Sequence, residues 1–528
     1  MRAFTRALGI AILAAGAVVG APLAASRAET VLRVVPQADL KILDPVWTTS
    51  QLTQAHALMV YDQLFAIDSK LVPRPQMLDT WTTSADGLIW SFKLRPNLKF
   101  SDGTDVTAKD ATASLKRWAA RTTDGQLLLK FVDHIAVTSA DTFEVRLTKP
   151  YPIMLETLGN ATTPLFVMRE KEALTDPFQQ IKEVVGSGPF TYAPGEHREG
   201  HKVVYRKNPF ANPRPEPADG MAGRKVAKVD TVEWIIMPDP AVAVSALRRG
   251  EVDVLENAPY DLISLIERDP GVMLSVTDPL GQQGIVRFNH LVPPFNDPKV
   301  RQAVLMAIDR PAYLAAMVGD RRFEINCGIP FICGTVSETD AGAADYASPN
   351  LEKAKALLAA SAYRGEPVVV LDPTDYTVIH AMTLVTADRL RAIGFNVDLQ
   401  AMTWSLVVGR RSNREPPKDG RTGWHVFHTV VPSVAMISPI TNYLLASACD
   451  GKNWFGWPCD EELERLRLSF LDVPPHQQKQ TYAAIQKRYW ETVPFASVGQ
   501  FVKPIAHRKS VSGFVASPIL AVWNVEKR

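Results

Sequence analysis

Apolar and polar residues alternate from Trp90 onward: Trp90, Phe92 and Leu94 interleave with Ser91, Lys93 and Arg95. A period of two predicts a strand with one buried face. Pro96-Asn97 then makes a turn, a short second strand carries Phe100 inward, and Asp102-Gly103 turns the chain again. Thr107 stands as an N-cap, and Asp110 occupies the capping-box position of the helix that follows. The same signals divide the rest of the chain. Strands are predicted over 30–35, 229–237, 274–276, 285–289, 368–371, 397–400, 496–502 and 522–525, with a hairpin over 135–147. Helices are predicted over 55–65, 151–158, 240–249, 377–393, 461–471 and 476–492, and two more begin at Pro298 and Ser348-Pro349. The strand, long helix and strand over 368–400 have the spacing of a parallel βαβ unit. The segment 410–423 reads as a polar, turn-rich loop.

The first 28 residues do not fit this pattern. Arg2 and Arg6 precede an apolar run over 8–23, and Ser26-Arg27-Ala28 places small residues where a signal peptidase reads. A cleaved export signal ending near Ala28 is expected. The alternative, a membrane anchor, would want a run of about 20 apolar residues. Removing this segment from the 528 residues leaves 500, with 55 basic and 56 acidic side chains and a formal charge of −1. A chain so nearly neutral offers no basic stripe for nucleic acid or an anionic membrane surface. At this length, with 46% hydrophobic residues, two or more domains are expected.

Four cysteines allow three pairings, and short separations favour Cys327 with Cys333 and Cys449 with Cys459 in an oxidising compartment. The alternative, a zinc site, lacks a C-x-x-C and a histidine at ligand spacing. His197-Arg198-Glu199-Gly200-His201 is not H-E-x-x-H, and flanking glycines deny it a helix, so it reads as a polar hairpin tip. No metal and no cofactor are expected.

Several blocks together resemble the solute-binding proteins of family 5, the peptide/nickel/opine class of extracytoplasmic ABC-importer receptors. These are W-x-F-x-L-R with K-F-x-D-G and T-A-x-D over 90–110, Leu43-Asp44-Pro45, and Gly186-Ser187-Gly188-Pro189-Phe190 with Arg206-Lys207-Asn208. Further on come Gly250-Glu251-Val252-Asp253, the run from Pro293 to Ala303, and Ala307-Ile308-Asp309-Arg310. The resemblance implies an α/β fold of the type II periplasmic-binding-protein class, with two lobes joined by hinge strands and an extra α/β subdomain in the larger lobe. It places domain I at 29–48, 186–283 and 500–528, domain II at 49–185 and domain III at 284–499, with hinge crossings near 283–288 and 499–504. It implies a periplasmic monomer that captures a peptide-like or other small organic solute, passes it to ABC permease subunits and catalyses nothing.

In such a receptor the ligand-facing candidates are Trp47, Thr48 and Thr49 in the loop after Leu43-Asp44-Pro45, then Trp404, Trp424, His425, His428, Thr429, Trp454 and Phe455. Trp47, Trp404 and Trp424 each have the alternative of a core position, and each histidine that of a side chain satisfied by backbone groups. His425 and His428, three apart in an extended run, face opposite sides and do not make a two-histidine metal site. Peptide receptors of this class carry a W-x-x-D-Y-x-D-P-like element whose acid meets the ligand's α-amine. Here Trp424 to Ser433 contains no acid, so the solute is left open. Two other readings compete. A periplasmic hydrolase would need a G-x-S-x-G elbow, an S-x-x-K or an H-E-x-x-H, none of which occurs. A chaperone or adhesin on the same scaffold would bind protein surfaces instead.

Overall fold

A computed structural model describes residues 29–418 and 422–528; the export signal expected over 1–28 lies outside the described residues. The strand Val31–Val35 runs parallel to Thr231–Ile235 on one side and to Val254–Leu255 on the other. Antiparallel strands extend both edges, Lys202–Lys207 and Phe190–Tyr192 on one and Ile505–Arg508 and Val272–Ser275 on the other, giving seven strands. Arg198 to Lys202 closes the polar hairpin tip expected around His197 and His201, with Gly200 at a φ of +71° in the turn.

The alternating stretch at Trp90 forms Ile89–Leu94, second strand of an antiparallel four-stranded sheet ordered Leu78–Thr83, Ile89–Leu94, Thr142–Leu147, Val132–Val137. Phe92, Leu94 and Phe100 are buried as their period requires. They meet Phe143, Val145, Leu115 and Trp118 in a core belonging to this subdomain. The helix Ala108–Arg121 starts where Thr107 predicts, and the Asp110 carboxylate accepts from both the backbone N–H (2.8 Å) and the hydroxyl (2.7 Å) of Thr107.

The second lobe is built on a six-stranded sheet ordered Glu324–Ile325, Phe495–Phe501, Gln282–Phe288, Val426–Pro432, Val368–Pro373, Val397–Met402. Val368–Pro373 and Val397–Met402 are parallel and joined by the helix Thr377–Ile393, the predicted βαβ unit. Asp297 caps the helix Pro298–Ala307 by accepting from the Lys299 N–H at 2.9 Å. The chain passes between the seven- and six-stranded sheets at 276–281 and again at 502–504.

Three local expectations change. The helix predicted over 55–65 forms at Gln51–Val60, and all ten of its residues are buried, including Gln51, Thr53, Gln54 and His56. It is wedged between elements on every side, so it has no solvent face and its apolar stripe misplaced the boundary. No strand forms over 522–525; Glu526–Lys527 pairs instead with Val511–Ser512. The helix Trp404–Arg410 was not signalled, being only seven residues long with Gly409 near its end.

Candidate ligand-binding groove

Parallel strands end in loops at their carboxyl ends, and the crevice outside those ends is where open α/β sheets hold ligands. Here the two lobes turn these ends toward each other. The first lobe brings the loops after Val31–Val35, Thr231–Ile235 and Val254–Leu255; the second brings those after Val368–Pro373 and Val397–Met402. Between them lies a cavity of about 640 Å³ that includes Gln37, Asp39, Tyr260, Tyr376 and Lys503. A second cavity of about 460 Å³ separates the four-stranded subdomain from the second lobe, lined among others by Trp47, Arg121, Asp124, Tyr443, Trp454 and Trp457. A constriction of about 20 Å³ joins them. Gln37 and Tyr376 border it and the larger cavity, while Thr49, Tyr443 and Trp454 border it and the smaller one. The three spaces are one groove, pinched in the middle.

Hydrogen bonds across the groove hold the pinch shut. The Tyr376 hydroxyl donates to Gln37 Oε1 (2.8 Å), Ser405 Oγ to the Asp39 carbonyl (3.0 Å) and Trp454 Nε1 to Thr49 Oγ1 (3.1 Å). Gln51 Nε2 donates to the Val430 carbonyl at 3.3 Å, and a guanidinium N–H of Arg411 donates to Thr48 Oγ1 at 3.2 Å. Each of these bonds links the two lobes.

Arg411 is the electrostatic centre of the pinch. It is 1% exposed and forms no ion pair among the described residues, and its Nε has no partner. The rings of Phe455, Trp454, Trp404 and Phe427 surround its guanidinium at 4.7 to 5.8 Å. Burial draws its pKa down to about 10. Ring faces stabilise the cation, but they leave N–H donors without acceptors. A planar, unsaturated fork of this kind fits a carboxylate or phosphate.

In the second cavity Arg121 lies between Trp47 (5.3 Å) and Phe178 (4.9 Å) and donates to the Trp47 carbonyl at 3.1 Å. Its Nε has no partner either, and burial lowers its pKa. Asp124, on the short helix Thr123–Leu129, is 2% exposed; burial raises its pKa to about 7.

Of the sequence candidates, Trp47, Thr48, Thr49, Trp404, Thr429, Trp454 and Phe455 are brought together around the pinch and the second cavity. Trp424, His425 and His428 are not. Trp424 is fully buried, packs on Phe427 and Trp457, and donates its indole N–H to the Asn413 carbonyl at 3.1 Å. His425 Nδ1 accepts from the Val369 N–H at 2.8 Å. His428 is held by two threonine hydroxyls, Thr383 on Nδ1 (3.1 Å) and Thr386 on Nε2 (2.7 Å). Burial lowers the pKa of His425 to about 4 and of His428 to about 3. The physical reason is position: Val426–Pro432 is an interior strand, buried at every residue and paired on both edges. Only its far end, from Thr429, reaches the pinch.

Both cysteine pairs are disulfides, Cys327–Cys333 and Cys449–Cys459. The second closes the loop that carries Trp454 and Phe455, which Asn453 braces from within by donating to the carbonyls of Ala448 (2.5 Å) and Pro458 (2.6 Å). No local sequence pattern marks Arg411, Arg121, Asp124, Tyr376 or Tyr443. Among the described residues no group of three or more His, Cys, Asp or Glu is placed to hold a metal ion, and no helix is long and apolar enough to cross a membrane.

Comparison with known proteins agrees with this architecture. The profile of bacterial extracellular solute-binding proteins, family 5 Middle, matches residues 72–431. The probable peptide ABC transporter periplasmic-binding protein y4tO of Sinorhizobium fredii NGR234 is 36% identical over 524 residues, covering 98% of each chain. The glutathione-binding protein GsiB of Escherichia coli K12 is 24% identical over 491 residues, 90% of each. Among solved structures, AgaA from A. tumefaciens R10 in complex with agropinic acid superposes with a TM-score of 0.79 at 21% identity, covering 94% of this chain and 99% of that one. DppA from Helicobacter pylori with the peptide STSA gives 0.79 at 18% identity, covering 94% and 98%.

Proposed function

The chain belongs to the family 5 bacterial extracellular solute-binding proteins, and from that premise we propose that it captures a small organic acid between its lobes and presents it to an ABC permease. The single observation that carries the acid is Arg411, a buried guanidinium in the pinch with unfilled donor positions and no carboxylate among the described residues. Leaving a buried charge unpaired is costly, so a ligand anion at this point is strongly favoured. Peptides, glutathione and agropinic acid, named as ligands of its relatives, all carry a carboxylate. Trp47, Thr48, Thr49, Trp404, Thr429, Trp454 and Phe455 are the remaining proposed contacts.

The family is extracytoplasmic; periplasmic residence as a monomer, after cleavage near Ala28, is part of the proposal. So are the boundaries, with domain I at 29–48, 186–283 and 500–528, domain II at 49–185 and domain III at 284–499. Closure needs no chemistry. A solute that binds the closed form more tightly than the open one shifts the equilibrium by that difference.

A thermal-shift screen of ligand-free protein against peptides, amino-sugar acids, other organic acids and neutral sugars tests this. Saturable stabilisation by acidic members, one per chain and with the solute recovered unchanged, is expected. Stabilisation by neutral sugars alone, or by nothing, overturns the proposal, and turnover of the solute would make the protein an enzyme.

A further inference from the structure

The second cavity contains a buried acid that the fold does not neutralise. Asp124 accepts on Oδ2 from the Asn160 side-chain amide, while Oδ1 has no partner. Asn160 is fixed in that orientation, because its own oxygen accepts from the Thr162 N–H (2.8 Å), the Thr162 hydroxyl (2.9 Å) and the Thr163 N–H (3.2 Å). Arg467 is the nearby cation that acts on Asp124, but it is committed to Glu464 through two bonds of 2.8 and 2.9 Å. Asp124 therefore makes no ion pair among the described residues. It lines the cavity directly beside the pinch that holds Arg411.

Resting on the reading above, we propose that Asp124 receives a protonated amine of the ligand while Arg411 receives a carboxylate. Arg121 on the same lining is half-buried and also forms no ion pair among the described residues, so the cavity favours a ligand with more negative than positive charge. The cargo is then an amine-bearing polyacid: an acidic di- or tripeptide, or an amino acid conjugate with at least two carboxylates and a free amine. The acid is supplied from the four-stranded subdomain rather than from the segment after Trp424, which has none. As a carboxylate, a buried acid with an idle oxygen and no cation partner is poorly solvated by its own fold; an ammonium group takes the place of the proton it would otherwise hold and supplies donor and countercharge together.

The test equilibrates ligand-free protein with a pool of Glu- and Asp-rich di- and tripeptides, and separately with the same pool N-acetylated. Retained molecules are quantified by mass spectrometry after rapid gel filtration. Wild-type protein is expected to retain the free-amine pool over the acetylated pool by on the order of thirtyfold, and Asp124→Asn to retain both equally. The wild-type comparison needs no folded variant. Equal retention by wild type, a preference that survives in Asp124→Asn, or retention of neither pool overturns this assignment. Failure of the broader reading is separate, appearing as no stabilisation by any organic acid in the thermal screen.

Discussion

Arg287 on the strand Gln282–Phe288 and Arg411 on the groove wall belong to the same lobe and are about equally inaccessible, 0% and 1% exposed. Burial lowers both, to about 9 and about 10. Neither forms an ion pair among the described residues, yet the roles we propose for them are opposite. Arg287 donates to the carbonyls of Phe455 (2.6 Å), Leu444 (3.1 Å), Pro494 (3.0 Å) and Trp454 (3.3 Å), tying the aromatic loop to the sheet. Arg411 faces the rings of that loop and finds one threonine hydroxyl. What separates a structural arginine from a binding one is saturation of its donors, not depth. His428, with both ring nitrogens occupied, falls on the structural side of the same line.

The largest effect should come from breaking the saturated site. Arg287→Met strips four carbonyls, two of them fully buried, of their donor and should cost about 3–5 kcal/mol in urea unfolding. Arg411→Met, at the same depth, should change ligand-free stability by less than about 1 kcal/mol or raise it, because an apolar side chain replaces an unpaired buried charge. The order reverses for binding, where Arg411→Met should weaken an acidic ligand by about 2–5 kcal/mol in calorimetry. If the two variants lose stability alike, the distinction fails.

Proton linkage sharpens the contrast next. Asp124 has its folded pKa raised to about 7, above the usual carboxylate value near 4. The folded form therefore holds a proton that the unfolded chain releases, and its contribution to stability falls as pH rises from about 4 to about 7. Asp278, raised to about 6 by burial, acts with the same sign. His428 and His425 act on the other flank: their lowered values mean stability is lost as pH falls below about 6.5. Arg467, Tyr151 and Tyr443 neighbour Asp124 electrostatically, but Arg467 is held by Glu464. Thermal unfolding against pH should show a shallower decline between pH 4 and 7 in Asp124→Asn than in wild type. Equal slopes would mean that Asp124 is not held protonated.

A smaller loss than at Arg287 is expected from the disulfides. Paired Cys→Ser changes at Cys449 and Cys459 should cost about 2–3 kcal/mol of stability and also weaken ligand binding, because the loop carries Trp454 and Phe455. The same change at Cys327 and Cys333 should cost stability alone.

The sequence disclosed the frame of the molecule more fully than the site within it. Alternation at Trp90, the Thr107–Asp110 box and the 368–400 unit are local signals, and they placed their elements well. Trp47 to Thr49 was legible because it follows a recognisable turn. Arg411 was not, since Arg-Arg-Ser-Asn-Arg reads as a solvated loop until the Thr48 loop folds over it. His425-x-x-His428 drew notice it did not deserve, because an extended run does not reveal which threonines lie opposite it. Whether a buried polar group is satisfied depends on contacts tens to hundreds of residues apart, which no local pattern contains.

Native mass spectrometry of wild type and Arg411→Met, purified side by side without refolding, tests the central claim most directly. Wild type should carry one small anionic molecule per chain, and the folded variant should arrive empty. The same molecule at equal occupancy in both would show that Arg411 does not hold the cargo.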